Sequence, residues 1–189
     1  GMDFNADASG FRGSFLNMRL DGQICEGLTY SYRQRFNKLS GRTFFDATDW
    51  IHIDWKATDW LTLGGGKQVV GIGGYEYDRA PIDLYYCSEF WNNIACYQLG
   101  ISGTFNAAPG DNLLLQVCNS PMRGYITDEK GNNVGNSKVA VNLMWYGSHG
   151  FYESIWSANA FQNSTDSWMY YVALGNRFNI TEWLRWDID

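Results

Sequence analysis

A chain of 189 residues that is 17 % aromatic, with 21 glycines, three prolines and only 18 % charged side chains, has the composition of one β-rich domain. Its formal net charge of −6 argues against a nucleic-acid partner, because such proteins carry a basic patch. The mean hydropathy is negative and no apolar run approaches the about 18 residues of a spanning helix, which excludes a bundle of membrane helices. Membrane strands alternate and escape that test.

The chain opens without a charged segment followed by an apolar one, so no signal peptide is expected within it. Met2–Gly10 has no period and reads as a loose arm. Phe11–Gly22 alternates, with Leu16, Met18 and Leu20 opposite Arg19 and Asp21. After a short turn, Leu28–Asn37 sets Leu28, Tyr30 and Tyr32 against Arg33 and Arg35. Lys38–Asp46 is a polar loop. The tetrapeptide ATDW then occurs twice, at Ala47–Trp50 and Ala57–Trp60. The first copy leads into a strand with Ile51, Ile53 and Trp55 on one face and His52, Asp54 and Lys56 on the other. The second is a tight turn back into Trp60–Val70.

Gly71–Asn93 is too long for a hairpin connection and has no steady period, which marks it as a functional loop. Ala95–Phe105 resumes alternation, Asn106–Asp111 turns, and Leu113–Asn119 follows. Ser120–Ser137 is a second long polar loop. Lys138–Tyr146 is a clean strand, Phe151–Phe161 a blurred one, Trp168–Phe178 a long one, and Trp183–Asp189 begins another.

This makes about ten strands with no helical pattern between them. Connections near 25, 58, 109, 149 and 181 are short, and those near 42, 82, 128 and 164 are mostly long. Short turns at one end and long loops at the other characterise outer-membrane barrels. Trp55, Trp60, Tyr97, Trp145, Trp168 and Trp183 fall near strand ends, where an interfacial girdle sits. The expected fold is an all-β, antiparallel up-and-down barrel in one domain, 1–189. The alternative is a soluble small barrel with its apolar face inward, binding an apolar ligand in its interior.

Chemical motifs are imitated rather than present. Gly64–Gln68 fails the phosphate loop, having Leu61 and Gln68 where glycine and a hydroxyl belong, and Gly71–Gly74 fails the dinucleotide fingerprint at Glu76. The glycines fit better as places where a loop packs closely on a strand. His52 and His149 lack a marked serine partner, and Glu76, Asp78, Asp83 and Glu89 read as loop charges rather than a paired-carboxylate site. The four cysteines, at 25, 87, 96 and 118, show no zinc spacing, and both a Cys87–Cys96 disulfide and isolated thiols fit them. No enzyme activity, metal or cofactor is expected. Arg19, Arg33 and Arg35 share the polar face of the first strands and would line a lumen that attracts anions.

The run FRGSFLNMRLDGQI…LTYSYRQRFNK, then DATDW, GGGKQVVGIGGYEYDRAPIDLYY and SEFWNNIACYQLG, resembles the phosphate-selective porin O and P family. The block from Phe11 to Gly100 carries the specific part. The resemblance implies a bacterial outer-membrane β-barrel that passes small hydrophilic solutes passively, commonly as a trimer. Water-filled porins have about 16–18 strands, so about ten imply an amino-terminal portion or a truncated member. The expected pore-lining residues are Arg19, Arg33, Arg35, His52, Asp54 and Lys67. The expected constriction loop, 71–93, contributes Tyr75, Glu76, Asp78, Arg79 and Asp83.

Overall fold

The computed structural model describes residues 16–36, 43–79, 88–122, 138–164 and 166–189, together with the backbone of 2–5 and 8–11. The amino terminus is not a loose arm: β1 (Met2–Asn5) pairs antiparallel with β2 (Ala8–Phe11) as a separate two-stranded ribbon.

Ten further strands form one antiparallel sheet in strict chain order. They are β3 (Asn17–Cys25), β4 (Leu28–Arg35), β5 (Thr48–Lys56), β6 (Leu61–Val69), β7 (Tyr97–Ala108), β8 (Asp111–Asn119), β9 (Val139–His149), β10 (Tyr152–Ser164), β11 (Ser167–Thr181) and β12 (Leu184–Ile188). The first strand therefore starts later than its alternation predicts. The up-and-down topology is as expected, but β3 and β12 are not paired with each other, so the sheet is open.

Connections β3–β4, β5–β6, β7–β8, β9–β10 and β11–β12 are tight turns at one end of the sheet. The β7–β8 turn needs its glycine, since Gly110 has φ +88° and a Cβ there would sit 2.4 Å from the Ser148 carbonyl oxygen. At the other end the β4–β5 and β6–β7 connections carry short helices too brief to show a period: α1 (Phe44–Ala47), α2 (Tyr75–Asp78) and α3 (Glu89–Asn93). There β10 and β11 are instead joined tightly, with Ser164 paired to Ser167, where a loop was expected. Thr43 and Asp46 close a capping box on α1, the reciprocal satisfaction of free backbone donors that starts a helix.

Cross-strand partners share a face, so the register divides the sheet in two. One row runs Ile53, Gly65, Ile101, Val117, Val141, Ala160, Tyr170. The neighbouring row on the opposite face runs Asp54, Gly64, Ser102, Gln116, Asn142, Asn159, Tyr171. Ile53 is 48 %, Ile101 67 % and Tyr170 77 % exposed, whereas Gln116 is 2 %, Asn142 0 % and Asn159 4 %. The apolar face is thus the open one, and we call it outer. The polar, inner face is covered by chain over β8–β11 and open on β3.

The buried apolar residues lie on that inner side. Val70, Ile72 and Ile94, from the β6–β7 connection, pack on Cys118, Ala140 and Phe161, while Tyr75 packs on Met144 and Ile155. This explains the blurred alternation of β10. Its inner positions Ile155 and Phe161 are apolar because the connection covers them, and Ser157 and Asn159 between them bond to it.

Candidate functional site: the inner face and its crossing loop

After Val69 the chain turns onto the inner face and crosses it from β6 towards β12. A ladder of buried side chains receives it. Gln116 Oε1 accepts the Gly71 amide at 2.8 Å, and Asn159 Nδ2 donates to the Gly71 carbonyl at 2.7 Å. Asn142 ties the two amides together, donating to Gln116 Oε1 at 3.0 Å and accepting from Asn159 Nδ2 at 2.8 Å. Ser157 Oγ accepts the Gly73 amide at 2.8 Å, and the Ile155 carbonyl accepts that of Gly74 at 3.0 Å. The bonds to Gly71, Gly73 and Gly74 each satisfy a backbone group that burial would otherwise leave unpaired at a cost of about 1–3 kcal/mol.

Backbone lies directly on backbone here, and that requires glycine. A Cβ on Gly73 would come within 2.7 Å of the Ile155 oxygen and 2.9 Å of the Ser157 nitrogen, and one on Gly175 within 2.8 Å of Gly74 Cα. The run Gly71–Ile72–Gly73–Gly74 is thus a docking segment.

Beyond Gly74 the loop meets the last two strands. Asp189 accepts the amides of Tyr75 and Glu76 at 2.7 and 2.8 Å. Arg79 pairs with Asp187, which also receives Arg177 at 2.8 Å and Arg185 at 3.6 Å. The Arg177 guanidinium lies 3.8 Å from the centre of the Tyr75 ring. Burial pushes the Tyr75 phenol up to about 12, with Arg177 acting in the opposite direction. Burial also raises the Tyr77 phenol, whose hydroxyl donates to the Cys96 carbonyl at 3.3 Å. On the return, Ser88 donates its amide to Glu76 Oε1 at 2.5 Å, and Phe90 stacks on Tyr171 with centroids 3.9 Å apart.

The β3–β5 side of the inner face carries the other charges. Arg19 reaches Asp21 at 2.6 Å, and Arg33 and Arg35 share Asp49 at 3.2 and 2.6 Å. The Arg19 and Arg33 guanidiniums lie 5.6 and 4.9 Å from the Trp50 ring centre, and the Trp50 indole N–H donates to Ser31 at 2.8 Å. His52 Nδ1 stands 2.9 Å from Asp54.

The structure thus places Arg19, Arg33, Arg35, His52 and Asp54 together on the inner face, and Tyr75, Glu76, Asp78 and Arg79 on the loop that crosses it. Asp83, with the rest of 80–87 and Cys87, lies outside the described residues. Lys67 is corrected. It pairs with Ile51 and Leu99, which puts it on the outer face. There its ammonium donates to the carbonyls of Phe45 and Thr48 at 2.9 and 2.6 Å, above the Phe45 ring. The parity of Leu61, Leu63, Gly65 and Lys67 already carried this signal.

Of the expected girdle, Trp55, Trp60, Trp145 and Trp183 sit at the tight-turn end, and Tyr97 and Trp168 begin strands at the other. The turn-end band is wider than its strand-end tryptophans suggest. Trp60 stacks on Phe105, Trp145 meets Trp156 edge-on, and Phe178 links Tyr152 to Trp186. Among the described residues no group of His, Cys, Asp and Glu could hold a metal ion, and no helix is long and apolar enough to cross a membrane. No family model, curated protein or solved structure matches the chain.

Proposed function

We propose that this chain is a porin-like element of a bacterial outer membrane. Its outer face meets lipid, and its inner face lines a path for passive diffusion of small hydrophilic solutes or anions. The observation that carries the reading is the polarity of the sheet: the apolar rows are exposed, while polar side chains face the loop. In water such a surface is far larger than the apolar patches monomeric proteins expose, whereas in a bilayer it is the required one. The aromatic band at the tight-turn end and the split between tight turns and long connections support it, as does the resemblance to the phosphate-selective porins. Under this reading the loop from Gly71 is the constriction, and trimeric assembly is the family's expectation. The function needs no catalytic residue and no cofactor.

Planar-bilayer recording on the chain assembled into a complete barrel tests it, since β3 and β12 leave the sheet of one chain open. Steady conductance should appear and should rise when Gly71–Asn93 is deleted. An unchanged conductance after the deletion removes the constriction role. A chain that stays monodisperse without detergent, with Ile51, Ile53 and Trp55 shielded from aqueous labels, sinks the membrane reading and favours a soluble barrel binding an apolar ligand.

A further inference from the structure

The crossing loop is held in two separate places, and the second has a distinct role. The first is the amide ladder of β8–β10, which grips Gly71, Gly73 and Gly74. The second is supplied by the end of the sheet: both carboxylate oxygens of Asp189 are spent on the amides of Tyr75 and Glu76, and Asp187 holds Arg79. More than 100 residues of chain separate each pair of partners. The fold reserves space for the contact, since a Cβ on Gly175 would lie 2.9 Å from Asp189 Oδ1.

We propose that Asp187 and Asp189 are positioning residues for the constriction, forming a latch that sets how far the Tyr75–Arg79 segment reaches into the lumen. This rests on the channel reading above. The ladder seats Gly71–Gly74, and the latch seats Tyr75–Arg79. Because the latch belongs to β12 and the residue after it, the Tyr75–Arg79 segment takes its place only once β12 has paired with β11. Asp187 reaches Arg79 while also binding Arg177 and Arg185, so the loop charge is drawn into a network that already fixes β11 to β12.

Amide-resolved hydrogen exchange on the full chain in lipid nanodiscs tests the latch, with Asp189→Ala and Asp187→Asn as variants. In Asp189→Ala the Tyr75 and Glu76 amides should exchange about 10-fold faster or more, as local opening without global unfolding allows. The Gly71 and Gly73 amides should keep their protection. Asp187→Asn should loosen Arg79 without exposing Gly71. Unchanged exchange at Tyr75 and Glu76 overturns the latch. So does equal acceleration at all four amides, which would make the loop one unit, and so does a variant that no longer assembles its sheet, since the carboxylate would then serve the wall. Conductance of the same variants should rise. Faster exchange without a conductance change leaves the latch standing and removes the constriction reading.

Discussion

Leu143 offers the most direct test of which solvent the outer face meets. It lies near the middle of β9, paired with Leu115 on one side and Ala158 on the other, and is 42 % exposed. Replacing it with arginine places a guanidinium at the centre of the apolar rows. In a bilayer a charge on the lipid face at mid-depth costs about 2–4 kcal/mol, a fall of roughly 30- to 900-fold in the folding equilibrium. In water the same change on an exposed face costs within about 0.5 kcal/mol. Thr29→Arg is the control, because Thr29 is exposed on the inner face opposite Asp54 and should be nearly neutral in either solvent. Urea-driven folding into short-chain phosphatidylcholine vesicles, followed by tryptophan fluorescence, gives both values. Equal stabilities for Leu143→Arg and Thr29→Arg would refute the lipid-facing assignment.

Two further outcomes follow from the loop. Gly73→Ala must lift the docking segment off β10, because the new Cβ meets the Ile155 oxygen at 2.7 Å; single-channel conductance should rise, while Gly65→Ala, with nothing within 4 Å of its Cβ, should match the parent. The Tyr75 phenol titrates near 12 in the folded chain against an ordinary 10.0, so its neutral form is the one the fold favours. Its contribution to stability is full below pH 10 and is lost as the pH climbs from there through 12. Phenolate absorbance, read as the difference between the parent and Tyr75→Phe, should show the late titration, and a phenol titrating at 10 would contradict its burial beneath Arg177.

Much of the sheet was legible because alternation is a local property. Ile51, Ile53 and Trp55 declare their face without knowledge of any partner strand, and the contrast of short and long connections gives the up-and-down order. What alternation leaves out is what lies across a face. The ladder Gln116–Asn142–Asn159 is assembled from three strands and exists only once the register is set. Asp49 was hidden for a related reason: it sits where the β4–β5 register shifts, between Arg33 and Gln34, so parity alone does not bring it to Arg33 and Arg35. The ribbon Met2–Asn5 with Ala8–Phe11 and the short helices α2 and α3 span too few residues to show a period. For α1, the Thr43 and Asp46 pair was a readable start signal.

The position of the buried residues bears on how the loop must be perturbed. In most β-proteins the core lies between two sheets, or inside a closed barrel. Here the inner face finds its apolar partners in its own connection, through Val70, Ile72, Tyr75 and Ile94. The segment proposed to narrow the path therefore also supplies much of the buried apolar contact of β8–β10. Removing Gly71–Asn93 withdraws both at once and leaves Gln116, Ser157 and Asn159 without the loop backbone groups they bind. A rise in conductance after deletion could come from a looser wall as well as from a wider path. Gly73→Ala and Asp189→Ala shift the loop while keeping Val70, Ile72 and Ile94 in the chain. A conductance increase in those variants, with the sheet's stability preserved, assigns the narrowing to the loop itself.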